Sequence, residues 1–238
     1  MVRTIIWFVY FWLFLFFSLP FLAYAKIQEL IGNSKTSGRV ASKTARFWSR
    51  SLIWLAGGKV TVKGQENLPK DQQVVFIGNH QGNFDIPLLL GYVDKPLGFI
   101  AKIEMLKMPI VCSWMKYLYC VFMDRNDIRQ SVSAINEGVE NIKNGHSIAI
   151  FPEGTRSRGD KVGEFKAGSF KLATKANALI VPLTMKNSYK LFEANNKKMK
   201  PAKVEIIISP PINTKDLSAQ EIKELPDTVR NIIISNLN

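Results

Sequence analysis

Val74-Val75-Phe76-Ile77-Gly78-Asn79-His80-Gln81-Gly82-Asn83-Phe84-Asp85-Ile86-Pro87-Leu88-Leu89-Leu90 is the stretch that decides the fold. Its first residues are apolar without alternation, the pattern of a short strand covered on both faces. Polar, turn-forming residues follow. Asp85-Ile86-Pro87 then opens a helix, with Asp as N-cap and Pro in the first turn, where its missing N–H is not needed. The same rhythm runs through the chain beyond residue 58. Val74–Gly78, Leu97–Ala101, Tyr119–Met123, Ser147–Phe151, Leu179–Met185 and Val204–Ser209 read as strands, and Asp85–Val93, Ile128–Lys143 and Phe165–Lys175 as helices. Asp127 is a suitable N-cap for the second helix and Gly145 a suitable stop. A surface helix is expected from about Leu217, disturbed at Pro226. The alternation predicts one α/β domain over residues 59–238, with a largely parallel or mixed sheet covered by helices.

Composition narrows the function. With 47% hydrophobic and 21% charged residues among 238, the chain is not disordered. Its two cysteines, Cys112 and Cys120, lie in apolar runs, so neither a disulfide framework nor a thiolate metal cluster is supported. Two histidines are too few for most His-rich metal sites. The net charge of +13 points to an anionic partner: nucleic acid, anionic lipid or a phosphorylated substrate. Residues 1–63 carry nine of the cations against one anion, Glu29, and so hold +8 of that charge.

The basic end is also the apolar one. Thr4–Ala25 is 22 residues without a charge, about 33 Å as a helix against a bilayer core of about 30 Å. Pro20 interrupts it. A cleaved secretory signal is the rival, because Arg3 and Ala23-Tyr24-Ala25 fit its pattern. Ten aromatic residues in the run favour retention at a membrane interface. In Arg39–Leu55, Val40, Thr44, Phe47, Trp48, Leu52 and Leu55 recur at helical spacing, with Arg39, Lys43, Arg46 and Arg50 on the other side. Two readings fit: a core helix with a solvated basic face, or a helix lying among lipid headgroups. After a membrane anchor the second is preferred. Residues 1–58 are thus expected to form a two-helix membrane-associating element on the cell membrane. Positive-inside bias puts the following domain on the cytoplasmic side.

In α/β sheets, ligands collect beyond the carboxyl ends of the strands. Two polar clusters stand there: Asn79–Asp85 after the first strand, and Pro152-Glu153-Gly154-Thr155-Arg156-Ser157-Arg158-Gly159 after the fourth. His80 can accept a proton near neutral pH, and a carboxylate on its other nitrogen would fix its tautomer. Asp85 meets it only if residues 80–84 turn. Alone, the pair is weak evidence, better explained by an Asp cap and a loop histidine. In the second cluster, small residues let backbone N–H groups approach a phosphate, and Arg156 and Arg158 add charge. A solvated turn with a salt bridge from Glu153 to Arg156 or Arg158 is the plainer account. Lys102, at a neighbouring strand end, adds a third cation. There is no P-loop, no dinucleotide fingerprint and no G-x-S-x-G elbow.

Asn79–Asp85 resembles the N-H-x-x-x-x-D block of the glycerolipid acyltransferase family, and Phe151–Ser157 is similar to its F-P-E-G-T-R-S block. Between and after them, Phe122-Met123-Asp124-Arg125 resembles its arginine block and Val181-Pro182-Leu183 its proline block. Four blocks in order over residues 74–185 make the match specific. Chain size and Phe99–Glu104 look most like the bacterial 1-acylglycerol-3-phosphate acyltransferases. Gly82, where a serine is common, is a departure expected to matter little. The resemblance implies acyl transfer from acyl-ACP or acyl-CoA to lysophosphatidate, with no cofactor or metal and no acyl-enzyme. It makes His80 the general base and Asp85 its holder. Lys102, Arg156 and the backbone of Gly154-Thr155 would hold the phosphate, Glu153 would order the loop, and Arg125 would be a further polar contact. The apolar stretch Met108–Val121 fits an acyl-chain wall or plain core. Rival readings are the same chemistry on glycerol-3-phosphate or another lysophospholipid, a thioesterase, and a non-enzymatic basic protein on membrane or nucleic acid. Nucleic acid is disfavoured, because the domain itself carries only +5 and the remaining charge sits beside lipid-type aromatics.

Overall fold

In the computed structural model, which describes all residues Met1–Asn238, Val74–Gly78 is a strand with every residue buried, as its unbroken apolar run requires. It is β2 of seven: β1 (Gly58–Lys63), β2, β3 (Leu97–Lys102), β4 (Val121–Met123), β5 (Ser147–Ile150), β6 (Leu179–Lys186) and β7 (Ala202–Ile208). One sheet takes the order β1-β7-β6-β2-β5-β3-β4. Five neighbours, β6 to β4, are mutually parallel, while β7 pairs antiparallel to β6 and parallel to β1. The sheet is therefore mixed.

Side chains alternate across β2 and feed two cores. Val74 and Phe76 join the face covered by α3 (Ser34–Ala56), α4 (Asp85–Tyr92) and α5 (Pro109–Tyr117). Val75 and Ile77 join the face covered by α6 (Ile128–Lys143), α7 (Lys171–Ala176) and α8 (Ala219–Leu237). α6 starts where its cap predicts, the Asp127 carboxylate accepting the N–H groups of Arg129 and Gln130. α8 opens with a Ser218–Glu221 capping box and is the expected surface helix, burying one face (Leu225, Pro226, Val229 and Ile233) and running unbroken through Pro226.

Other expectations change. β1 was not expected: its Val60 and Val62 alternate with Lys59, Thr61 and Lys63, a weak pattern suited to a sheet edge. β4 is shorter than Tyr119–Met123 because Tyr119 has φ 58°, outside the extended region. The helix expected over Phe165–Lys175 divides into a 3-10 turn at Ala167–Phe170 and α7.

The N-terminus is one apolar rod, Val2–Leu30, long and apolar enough by length and composition to cross a membrane. It breaks at Ser18 into α1 (Val2–Phe17) and α2 (Leu19–Leu30). Pro20 is the cause, since its ring crowds the carbonyl four residues back and it lacks an N–H. Phe16, Phe17, Phe21 and Trp12 are exposed. Ala25, wholly buried, accepts the Ser37 hydroxyl at 2.7 Å, so its small side chain serves close packing of α2 on α3. α1 and α2 together are an apolar two-helix segment.

α3 corrects the headgroup reading. Ala41, Ala45, Leu52, Ile53 and Ala56 are buried in the core, with Val40, Trp48 and Leu55 packed against it. Arg50 donates to Gly91 O at 2.7 Å, and Arg46 pairs with Asp94 at 2.8 Å. The apolar stripe meets protein, and only Phe47 and Trp54 stay exposed. Lipid and protein interior call for the same periodicity, so the stripe alone could not tell them apart.

Candidate active site

The order of the parallel strands lays out the site. From β6 through β2, β5, β3 and β4, the carboxyl ends deliver Ser188, His80, Glu153–Arg156, Lys102 and Arg125 in that sequence. Neighbouring strands are about 4.8 Å apart, so these residues form a row along one edge of the sheet.

Residues 80–84 do turn, and His80 meets Asp85: Nδ1 lies 2.6 Å from Asp85 Oδ2. Asp85 is not the N-cap, which is Phe84; it is the first helical residue. Its carboxylate turns back into the loop and accepts the Gly82 N–H at 2.9 Å on Oδ2 and the Ser188 hydroxyl on Oδ1. Asp85 is wholly buried. The ring of His80 stacks on Phe151, centroids 4.2 Å apart. A carboxylate facing Nδ1 requires a proton there, so the lone pair stands on Nε2. Gly82, given little weight from the sequence, supplies one of the donors that hold Asp85.

Glu153 does not pair with Arg156 or Arg158. Its Oε1 accepts the His80 N–H at 2.7 Å and its Oε2 the Gly163 N–H at 2.8 Å. Burial pushes its carboxyl above the usual range, with the two N–H groups pulling the other way. The loop is sewn to the histidine loop a second time: Ser157 N–H donates to His80 O at 2.8 Å and Arg158 N–H to Gln81 O at 3.1 Å. The N–H groups of Thr155 and Arg156 have no acceptor in the protein. Gly154 sits at φ 70°, a left-handed turn that suits glycine.

The cations are distributed around this loop. Arg156 donates to Asn83 Oδ1 and Arg125 to Gly154 O. Lys102 pairs with Glu104, which holds that carboxyl below its usual range. Burial draws the Arg125 guanidinium down, opposed by Glu104. Lys166, not singled out from the sequence, brings its ammonium close to where a Gly154 side chain would begin.

Lys102, Arg125, Gly154, Thr155, Arg156 and His80 line one cavity of about 660 Å³. Its remaining wall is mostly apolar and comes from both parts of the chain: Trp7, Phe11 and Trp48 from the N-terminal element, and Met108, Val111 and Met115 from α5 and its start. In the stretch Met108–Val121, Trp114, Leu118 and Cys120 line the cavity and also belong to the core. The site thus joins an oriented imidazole, a cationic loop and an apolar chamber.

Sequence reasoning missed Ser188 and Glu193. Glu193 Oε1 accepts the Asn83 N–H at 2.7 Å, and burial raises its carboxyl above the usual range. The signal available for Ser188 was its place just after β6, at a strand carboxyl end like the other clusters.

A family model described as "Acyltransferase" matches residues 59–186. The chain is 36% identical over 186 residues to a 1-acyl-sn-glycerol-3-phosphate acyltransferase of Borreliella burgdorferi, covering 78% of this chain and 74% of that one. It is 33% identical over 193 residues to a probable 1-acyl-sn-glycerol-3-phosphate acyltransferase of Mycoplasma genitalium, covering 76% and 71%. The crystal structure of the 1-acyl-sn-glycerophosphate acyltransferase PlsC from Thermotoga maritima superposes with a TM-score of 0.86 at 29% identity, over 99% of this chain and 93% of that one.

Proposed function

This chain belongs to the acyltransferase family, among relatives of the 1-acyl-sn-glycerol-3-phosphate acyltransferase type, and on that premise we propose that it acylates the free hydroxyl of lysophosphatidate to give phosphatidate. The acyl donor is a thioester, acyl-ACP or acyl-CoA. The observation that carries the reading is the Asp85-held imidazole opening on the same chamber as Arg156, Lys102 and a long apolar wall.

His80 Nε2 takes the proton of the acceptor hydroxyl as its oxygen attacks the thioester carbonyl. The tetrahedral adduct collapses, the carbon–sulfur bond breaks, and the leaving thiolate takes the proton from the imidazolium. Asp85 stabilises that imidazolium and fixes the ring. Arg156, Lys102 and the free N–H groups of Thr155 and Arg156 hold the phosphate, so the hydroxyl is presented at a fixed distance from the base. Glu153 ties the phosphate loop to the His80 backbone, and Arg125 props it through Gly154 O. The apolar chamber takes the acyl chain. The N-terminal rod lies in the cell membrane with the domain on the cytoplasmic side, where the thioester is made.

The test is purified full-length protein in micelles, with labelled lysophosphatidate, glycerol-3-phosphate and larger-headed lysophospholipids offered with either donor. Phosphatidate should form from lysophosphatidate. His80→Ala should lose turnover by orders of magnitude with unchanged circular dichroism, and Asp85→Asn should be severe. Substantial turnover in a folded His80→Ala protein overturns the base assignment. Free fatty acid released without need of an acceptor overturns the acyl transfer.

A further inference from the structure

We propose that Ser188 is a positioning residue for this reaction: its hydroxyl holds the outer oxygen of Asp85, and through Asp85 the ring of His80. The inference rests on the reading of His80 as the base.

Asp85 has no access to water, so its oxygens must find all their partners inside the protein. Oδ2 has two, His80 Nδ1 at 2.6 Å and the Gly82 N–H at 2.9 Å. Oδ1 has one, the Ser188 hydroxyl. The carboxyl torsion of aspartate is broad and roughly two-fold. The Ser188 hydroxyl, bonded to the oxygen that faces away from the ring, therefore narrows that torsion about the angle that aims the other oxygen at the imidazole. The serine is itself fixed. Asn187 adopts φ 67°, a left-handed conformation asparagine tolerates, and turns the chain as it leaves β6. The Ser188 N–H then donates to Gln81 Oε1 at 3.1 Å, and both side chains are wholly buried. The hydroxyl also lies 3.3 Å from Gln81 Oε1 but has a single proton. The nearer, charged carboxylate takes it, because bonds to ionised acceptors are the stronger ones.

The bond has an electronic consequence. A hydroxyl donating to Asp85 withdraws part of its charge from His80, so the imidazolium is held less tightly than a bare carboxylate would hold it. The charged groups facing the pair are Glu153 from the β5 loop and Glu193 from the turn beyond Ser188, with Arg156 beside Glu193. None of them is bonded to Asp85.

Ser188→Ala, Ser188→Cys and Ser188→Thr are compared with His80→Ala in full-length protein. The readouts are kcat, KM for lysophosphatidate, the acid limb of the pH–rate profile, and circular dichroism. Ser188→Ala should lose kcat by about tenfold or more, the scale of a lost hydrogen bond to a buried charge, with KM little changed. Its acid limb should shift, since the carboxylate that faces His80 Nδ1 has lost its hydroxyl donor. Ser188→Thr keeps the hydroxyl and should restore the limb and most of kcat. Ser188→Cys keeps the volume but donates weakly and should behave like Ala. A merely structural serine would leave the limb in place. If His80→Ala is inert while folded Ser188→Ala or Ser188→Cys keeps the parent kcat and limb, the Ser188 role is overturned and the base assignment stands. If His80→Ala turns over, the base assignment itself has failed.

Discussion

Gly82→Ala tests the closest contact in the histidine loop. A Cβ built at Gly82 would lie 2.5 Å from Glu193 Oε2 and 2.8 Å from its Cδ, where an ordinary contact is about 3.5–4.0 Å. Glu193 can step aside only by giving up a bond: its Oε1 accepts the Asn83 N–H, while its Oε2, the atom the new methyl meets first, is buried without a partner. Overpacking of this kind costs about 1–3 kcal/mol. The stiffer unfolded chain offsets about 0.4–1 kcal/mol of it. At mid-range overpacking wins, leaving a net loss of about 1 kcal/mol, or roughly 2–4 °C in Tm for a chain of this size. Glu193→Ala alone should lose about 1 kcal/mol with the Asn83 bond. The double variant decides: with the carboxylate gone the new methyl has room, so it should melt where Glu193→Ala melts. Thermal unfolding in micelles, followed by tryptophan fluorescence, reads all four proteins. If the two losses add within about 0.5 kcal/mol, Glu193 does not set the identity of position 82, and the serine common there in the family is excluded by something else.

Two further outcomes follow from the cations and the rod. Arg156→Ala and Lys102→Ala should raise the KM for lysophosphatidate and lower kcat by misplacing the hydroxyl, with Arg156→Lys rescuing only in part because it lacks the planar fork. Equal losses toward an acceptor without phosphate would contradict that role. Changing Phe16, Phe17 and Phe21 together to Ser should weaken sedimentation with lipid vesicles by about 1.5 kcal/mol or more per ring while leaving the melting profile intact, because all three are exposed. Unchanged vesicle binding would remove the rings from the membrane contact. Deleting residues 1–56 is a poor substitute for this experiment: it would also remove the buried α3 residues Ala41, Leu52, Ile53 and Ala56 from the core.

What could be read from the sequence was what is local or tied to a strand end. β2 and α6 have their expected bounds because an unbroken apolar run and an Asp127 cap each act within a few residues. The two polar clusters were found because a sheet of this class puts ligands beyond its strand ends. Ser188 and Glu193 obey the same rule but touch their partners across more than a hundred residues. They arrive there because β6 lies beside β2, and no local pattern encodes that order. The direction of the Asp85 carboxylate was half legible. The pairing with His80 was expected, but a capping role was also expected, and the buried donors of Gly82 and Ser188 overrode it.

The stitching of the two site loops has a consequence for how the protein opens. The amides of His80 and Gly163 end on one carboxylate, Glu153, and those of Ser157 and Arg158 end on the carbonyls of His80 and Gln81. Three of these bonds join the two loops and are lost together when the loops part, whereas the Gly163 bond stays within its own loop. In native-state hydrogen exchange the three joining protons should therefore leave with a common opening free energy, well above that of ordinary surface loops. A ligand that stills the Gly154–Arg156 turn would slow exchange at the backbone of His80 as well, without touching it. Occupancy of the anion side could then be read from amides on the other side of the row.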